Sequence, residues 1–140
     1  MSIKKFLIIA IILSLFTVGA VSAASIIDQT TDLLEKNGYT ITTHIDDKYD
    51  EMGKYSQYVY NKEKTQGTTV LVVYSYDYTV SLDDLKGNFT EKTINNTKGF
   101  YKQSRDNYLF HYQCGNDSIG IKTDDPNIIS KIVLGNDPIA

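Results

Sequence analysis

The apolar residues of this chain change their period several times, and this switching constrains the fold more than any other feature. Over 25–37, Ile26, Ile27, Leu33 and Leu34 recur at helical spacing and Gly38 follows as a left-handed stop, which predicts a first helix. Tyr39, Ile41, Thr43 and Ile45 then alternate with Thr40, Thr42, His44 and Asp46, the period of a half-buried strand. The acidic stretch from Asp46 to Gly53 is expected to end that strand as a loop. Two further β-rich runs, 55–61 and 68–78, are joined by a polar segment closing on Gly67, as in a hairpin.

Ser81-Leu82-Asp83-Asp84 sets a carboxylate three residues after a capping hydroxyl and predicts a short helix from Leu82 to about Gly87. Between Phe89 and Thr123, turn-prone pieces at Asn95-Asn96, Ser104 to Asn107 and Gly115 to Asp117 divide the chain into the four strands of an antiparallel meander. A last helix is framed by Asp125 as cap, Pro126 in the first helical position and Gly135 as stop, with Ile128, Ile129, Ile132 and Val133 inward. The expected class is α+β: an antiparallel sheet of about six or seven strands, with two terminal helices and one short internal helix packed on it. Helices on one face is the leading arrangement, and a helix on each face is the alternative.

The first two dozen residues belong to a different regime. Lys4 and Lys5 precede a nearly unbroken apolar run from Phe6 to Phe16, and Val21-Ser22-Ala23 places small or β-branched residues where a signal peptidase reads. Residues 1–23 are therefore expected to be a signal peptide, cleaved after Ala23 or after Ala24. An uncleaved anchor is the alternative, since Phe6 to Ala24 spans 19 residues, near the roughly 20 of a membrane-spanning helix. Residues 24–140 then form one α+β domain, secreted or held at the cell surface and monomeric, touching a membrane only if the leader stays.

Without Lys4 and Lys5, 12 basic side chains face 17 acidic ones. Arg105 is the single arginine, so the clustered cations that bind nucleic-acid phosphates are missing and no such partner is expected. Cys114 is the only cysteine and cannot form an intrachain disulfide. Stability must come from packing.

Chemistry is sparse. His111 and Cys114 lie three apart in a strand-like run, and an odd offset sends them to opposite faces, so no nucleophile–base dyad is expected. Cys114 shares parity with Tyr108, Phe110 and Tyr112 and reads as a small apolar-face residue. His44 reads as a solvated residue beside Asp46. Neither two separated histidines and one cysteine nor the Asp46, Asp47, Asp50 and Glu51 stretch has the spacing of a zinc or calcium site, so no metal and no cofactor is expected. Asn88, Asn95 and Asn116 begin N-glycosylation acceptor patterns.

The candidate binding residues are tyrosines. Tyr74, Tyr76 and Tyr78 share one parity, and Tyr58 and Tyr60 lie on the partner strand, giving a strip that either covers the core edge or stands exposed as a platform for a sugar ring or a partner's side chains. The leader, with its Lys-Lys, its Ile/Leu-rich core and its Gly-Ala-Val-Ser-Ala-Ala ending, resembles those of small exported proteins of methanogenic archaea. The closing strand–turn–strand–helix over 108–134 resembles the last elements of Mog1/PsbP-like domains. Neither resemblance implies an activity or a site residue. The expected function is an exported, non-enzymatic interaction or ligand-binding domain whose partner is a protein or glycan at the cell surface. The alternatives are a small secreted hydrolase-like enzyme or enzyme inhibitor, and a structural subunit of an envelope assembly.

Overall fold

A computed structural model describes residues 23–76, 89–114 and 117–133. The leader apart from Ala23, the short helix expected over 82–87, Tyr78, Asn88, Asn116 and the Gly135 stop lie outside them. The first helix, α1, runs Ala23–Lys36. Its end is set by backbone bonds from Gly38 to Glu35 and from Tyr39 to Leu34, 3.1 and 2.9 Å, with Gly38 at φ +90°. This is the left-handed stop that only glycine adopts without strain.

Seven strands follow: β1 Thr40–Asp50, β2 Gly53–Glu63, β3 Thr68–Tyr76, β4 Thr90–Ile94, β5 Thr97–Ser104, β6 Asn107–Cys114 and β7 Asp117–Thr123. The last helix, α2, runs Pro126–Ile132, with the Asp125 side chain accepting from the Asn127 N–H. All strands form one antiparallel sheet in the order β1-β2-β3-β7-β6-β5-β4. Two meanders are thus joined through β3 and β7. The four expected strands after Phe89 and the cap of α2 stand where the turn residues set them.

One boundary differs from expectation. The acidic stretch is not a loop: β1 continues to Asp50 and turns at Glu51 and Met52. The strand accommodates Asp46 and Asp47 as a bulge opposite Ser56, with Asp47 at φ 57°. A bulge absorbs residues that a regular ladder would exclude, and aspartate tolerates that left-handed angle. Ser56 donates to Asp46 Oδ1 at 2.7 Å, while His44 Nε2 lies 2.8 Å from the same oxygen. Those two bonds, Ser56 first, hold the Asp46 carboxyl below its usual range.

Both helices cover one face. Ile26, Ile27 and Leu34 of α1 and Ile128, Ile129 and Ile132 of α2 pack with Tyr60, Leu71, Val73, Phe110, Tyr112, Ile119 and Ile121. Most of these side chains are almost fully buried, and each stabilises the fold by roughly 1.5–3 kcal/mol relative to exposure. Among the described residues no helix is long and apolar enough to cross a membrane.

Candidate functional site

The opposite face of the sheet carries a second, smaller apolar cluster of Tyr55, Tyr76 and Phe100, flanked by Met52, Tyr74 and Phe89. Cross-strand pairing of Tyr55 with Tyr76 sets its centre. The Tyr55 ring lies 5.2 Å from that of Tyr76 and 5.5 Å from that of Tyr74, the latter nearly perpendicular at 73°. Those separations and tilts suit the aromatic quadrupole.

Opposite Tyr74 on β7 stands Gly120, and opposite Gly120 on β6 stands His111. A Cβ at Gly120 would lie 3.3 Å from His111 Nδ1 and 3.5 Å from Tyr74 Cδ2. Glycine therefore leaves a hollow between a phenol ring and an imidazole, a use of strand glycine where something must approach closely. The hollow is part of a concavity of about 270 Å³ whose walls include Asp50, Tyr55, Tyr74, Tyr76, Phe89 and His111, with Lys122 at one side.

Asp50 enters this site from the β1–β2 turn. Its Oδ1 accepts from the Met52 and Gly53 N–H groups at 2.7 and 3.1 Å, and its Oδ2 accepts from the Tyr76 hydroxyl at 2.6 Å. A single carboxylate thus closes the hairpin and fastens it to β3. Burial, and after it the bond to Asp50, holds the Tyr76 hydroxyl well above its ordinary range.

His111 is 7% exposed. Burial pushes its imidazole down to about 4, against the opposing pull of Asp50, so the ring is neutral at neutral pH. Its Nε2 is buried without a hydrogen-bond partner among the described residues. An unsatisfied buried polar atom costs about 1–3 kcal/mol, while the other ring nitrogen, Nδ1, is the one that borders the hollow over Gly120.

The expected tyrosine strip is divided between the two faces. Tyr74 and Tyr76 line the concavity. Tyr58 and Tyr60 oppose Val73 and Leu71 and so lie on the helix face. Tyr60 is fully buried with its hydroxyl 2.8 Å from Thr31 of α1, and Tyr58 stacks on His44 at 4.3 Å.

His111 and Cys114 fall on opposite faces, as their odd spacing requires. Cys114 is buried, and that burial, with Asp117 adding to it, pushes its thiol up to about 11. Asn95 caps α2: its amide nitrogen donates to the carbonyls of Ser130 and Val133. A glycan would have to replace one of those hydrogens, so the folded site is engaged in structure. The residues that sequence reasoning did not bring together are Asp50, Phe89, Gly120 and His111: Gly120 and His111 come beside Tyr74 through the β3–β7 and β6–β7 pairings, Asp50 arrives from the end of β1 across β2, and Phe89 immediately precedes β4.

No family model and no curated protein matches the chain. Among solved structures, a GTP binding regulator from Thermotoga maritima superposes with a TM-score of 0.52 at 18% identity, over 75% of this chain and 82% of that one. At that identity the likeness concerns the fold alone.

Proposed function

We propose that the protein is an exported, non-enzymatic ligand-binding domain acting at or near the cell surface, and that its ligand enters the concavity between Tyr74, Tyr76 and His111. The carrying observation is the hollow over Gly120, walled by aromatic rings and by the Nδ1 edge of a buried imidazole. Apolar walls with a few convergent polar groups are the general character of small-molecule sites. Export and a soluble, monomeric state rest on the leader pattern over 1–23 and on the acidic balance of the remainder.

One observation favours the rival reading of a hydrolase-like enzyme: Asp50 and His111 line the same concavity. Against it, both Asp50 oxygens already accept hydrogen bonds, the imidazole is held too weakly basic for proton abstraction near neutral pH, and Cys114 lies on the other face. The neighbour's description as a GTP binding regulator finds little support in this concavity, where Lys122 is the one lining cation among the described residues and shares the walls with the Asp50 carboxylate, a poor match for a triphosphate. The short helix over 82–87 also belongs to this proposal. A connection from β3 to β4 crosses four strand spacings, roughly 19 Å, and Ser81 and Asp84 supply its capping pattern.

The test is a screen of small polar and aromatic compounds against tyrosine fluorescence, which reports here without interference because the chain has no tryptophan. Saturable changes that disappear in Gly120→Val, while Val70→Ala on the exposed part of β3 retains them, are expected. Binding that persists unchanged in Gly120→Val would place the ligand elsewhere.

A further inference from the structure

We propose that the ligand of this concavity is one neutral pyranose ring, stacked against Tyr74 and hydrogen-bonded through its hydroxyls to Asp50, His111 and Lys122. The inference rests on the ligand-binding reading above and adds the chemical class. Three features of the site converge on it.

The first is charge balance. Asp50 and Lys122 line the same concavity with opposite signs. An anion would meet the Asp50 carboxylate and the negative faces of the tyrosines, while a cation would meet Lys122. A neutral ligand is repelled by neither.

The second is the mixture of donors and acceptors. Lys122 donates, Asp50 Oδ2 has an acceptor position beyond the one that Tyr76 uses, and His111 turns its Nδ1 edge toward the hollow over Gly120. Hydroxyl groups act as donor and acceptor at once, so a ring carrying several of them can serve all three, where an apolar ligand would leave them unsatisfied.

The third is shape. Tyr74 is half-buried, stands nearly perpendicular to Tyr55 and borders a residue without a side chain. The C–H face of a pyranose carries partial positive charge and packs on the negative face of an aromatic ring. A volume of about 270 Å³ admits one such ring inside the concavity.

The experiment titrates the purified chain with a panel of methyl hexosides, with choline as a cationic probe and benzoate as an anionic aromatic one, following tyrosine fluorescence and ring proton shifts. Saturable binding of at least one hexoside is expected, of millimolar order as suits so small a ligand, with its stereoisomers at least about fivefold weaker. Tyr74→Ala should weaken it more than tenfold, whereas Tyr74→Phe should change it less than threefold. A disaccharide ending in the preferred sugar supports the proposal whether it binds equally, marking a chain-end site, or much more weakly, marking a free-sugar site. Tighter binding of choline or benzoate than of every hexoside would overturn the sugar assignment and leave the site standing. If no compound perturbs Tyr74 or Tyr76, both the assignment and the site reading fail.

Discussion

The Tyr76 hydroxyl donates a 2.6 Å hydrogen bond to Asp50 Oδ2, joining β3 to the end of β1 across the intervening strand β2. The bond is charge-assisted and sheltered on the donor side, Tyr76 being 2% exposed while Asp50 is exposed; bonds to charged groups contribute about 1.5–3 kcal/mol, and the open side of Asp50 brings this one toward the lower part of that range. Tyr76→Phe should therefore lower unfolding stability by about 1–3 kcal/mol in urea. Asp50→Ala, which also releases the Met52 and Gly53 N–H groups, should cost more. Equal stability of Tyr76→Phe and the native chain would mean that this bond is not formed in solution.

That linkage also marks the limit of what the sequence could tell. Local signals placed the elements well, since Asn95-Asn96 and Asp125-Pro126 act within a few residues of themselves. The faces were a different matter. Tyr58 opposes Val73, not Tyr74, and a pairing shifted by one residue would have put Tyr58 and Tyr60 beside Tyr74 and Tyr76. Register is a property of two strands together, and a single-residue slip exchanges every side chain between faces. Likewise His111 reaches Tyr74 only because β7 inserts between β3 and β6, a non-local pairing that no periodicity announces. The acidic run 46–51 looked like a loop because its charge hid the bulge that lets β1 continue.

His111 gives the pH dependence. Its folded value lies near 4 against an ordinary 6.5, so between those values the unfolded imidazole binds a proton that the folded one does not. Stability must then fall as pH drops from about 6.5 to about 4, by up to about 3 kcal/mol from this group. Carboxylates such as Asp46, held low by its hydrogen bonds, lose stability in acid as well. The measurement is therefore the difference between the native chain and His111→Gln, in which those contributions cancel. A difference that stays flat from pH 7 to 4 would show that the imidazole is solvated.

Cys114 should be inert. With 6% exposure and a thiol pushed up to about 11, the thiolate that attacks disulfide reagents is scarce at pH 8 and shielded. Labelling by a chromogenic disulfide should be slower than for the urea-unfolded chain by at least about a hundredfold, the combined effect of thiolate fraction and access. Rapid labelling without denaturant would place Cys114 at an accessible surface.

Gly99 offers the sharpest packing test. A Cβ there would sit 2.5 Å from the His111 carbonyl oxygen and 2.5 Å from Phe110 Cζ. Phe110 lies diagonally across β5 and β6 from Gly99 on the helix face and is fully buried, so its ring covers the glycine as aromatics do for strand glycines. Gly99→Ala should destabilise by about 2–3 kcal/mol, toward the upper end of overpacking costs. The two obstacles differ in kind, because a side chain can be shortened and a backbone carbonyl in a paired strand cannot. In a double-mutant cycle, Phe110→Leu should recover part of the loss by withdrawing the ring edge, while the His111 oxygen keeps the remainder. Full recovery in the double variant would mean that β5 shifts freely against β6, and no recovery would mean that the carbonyl alone sets the spacing.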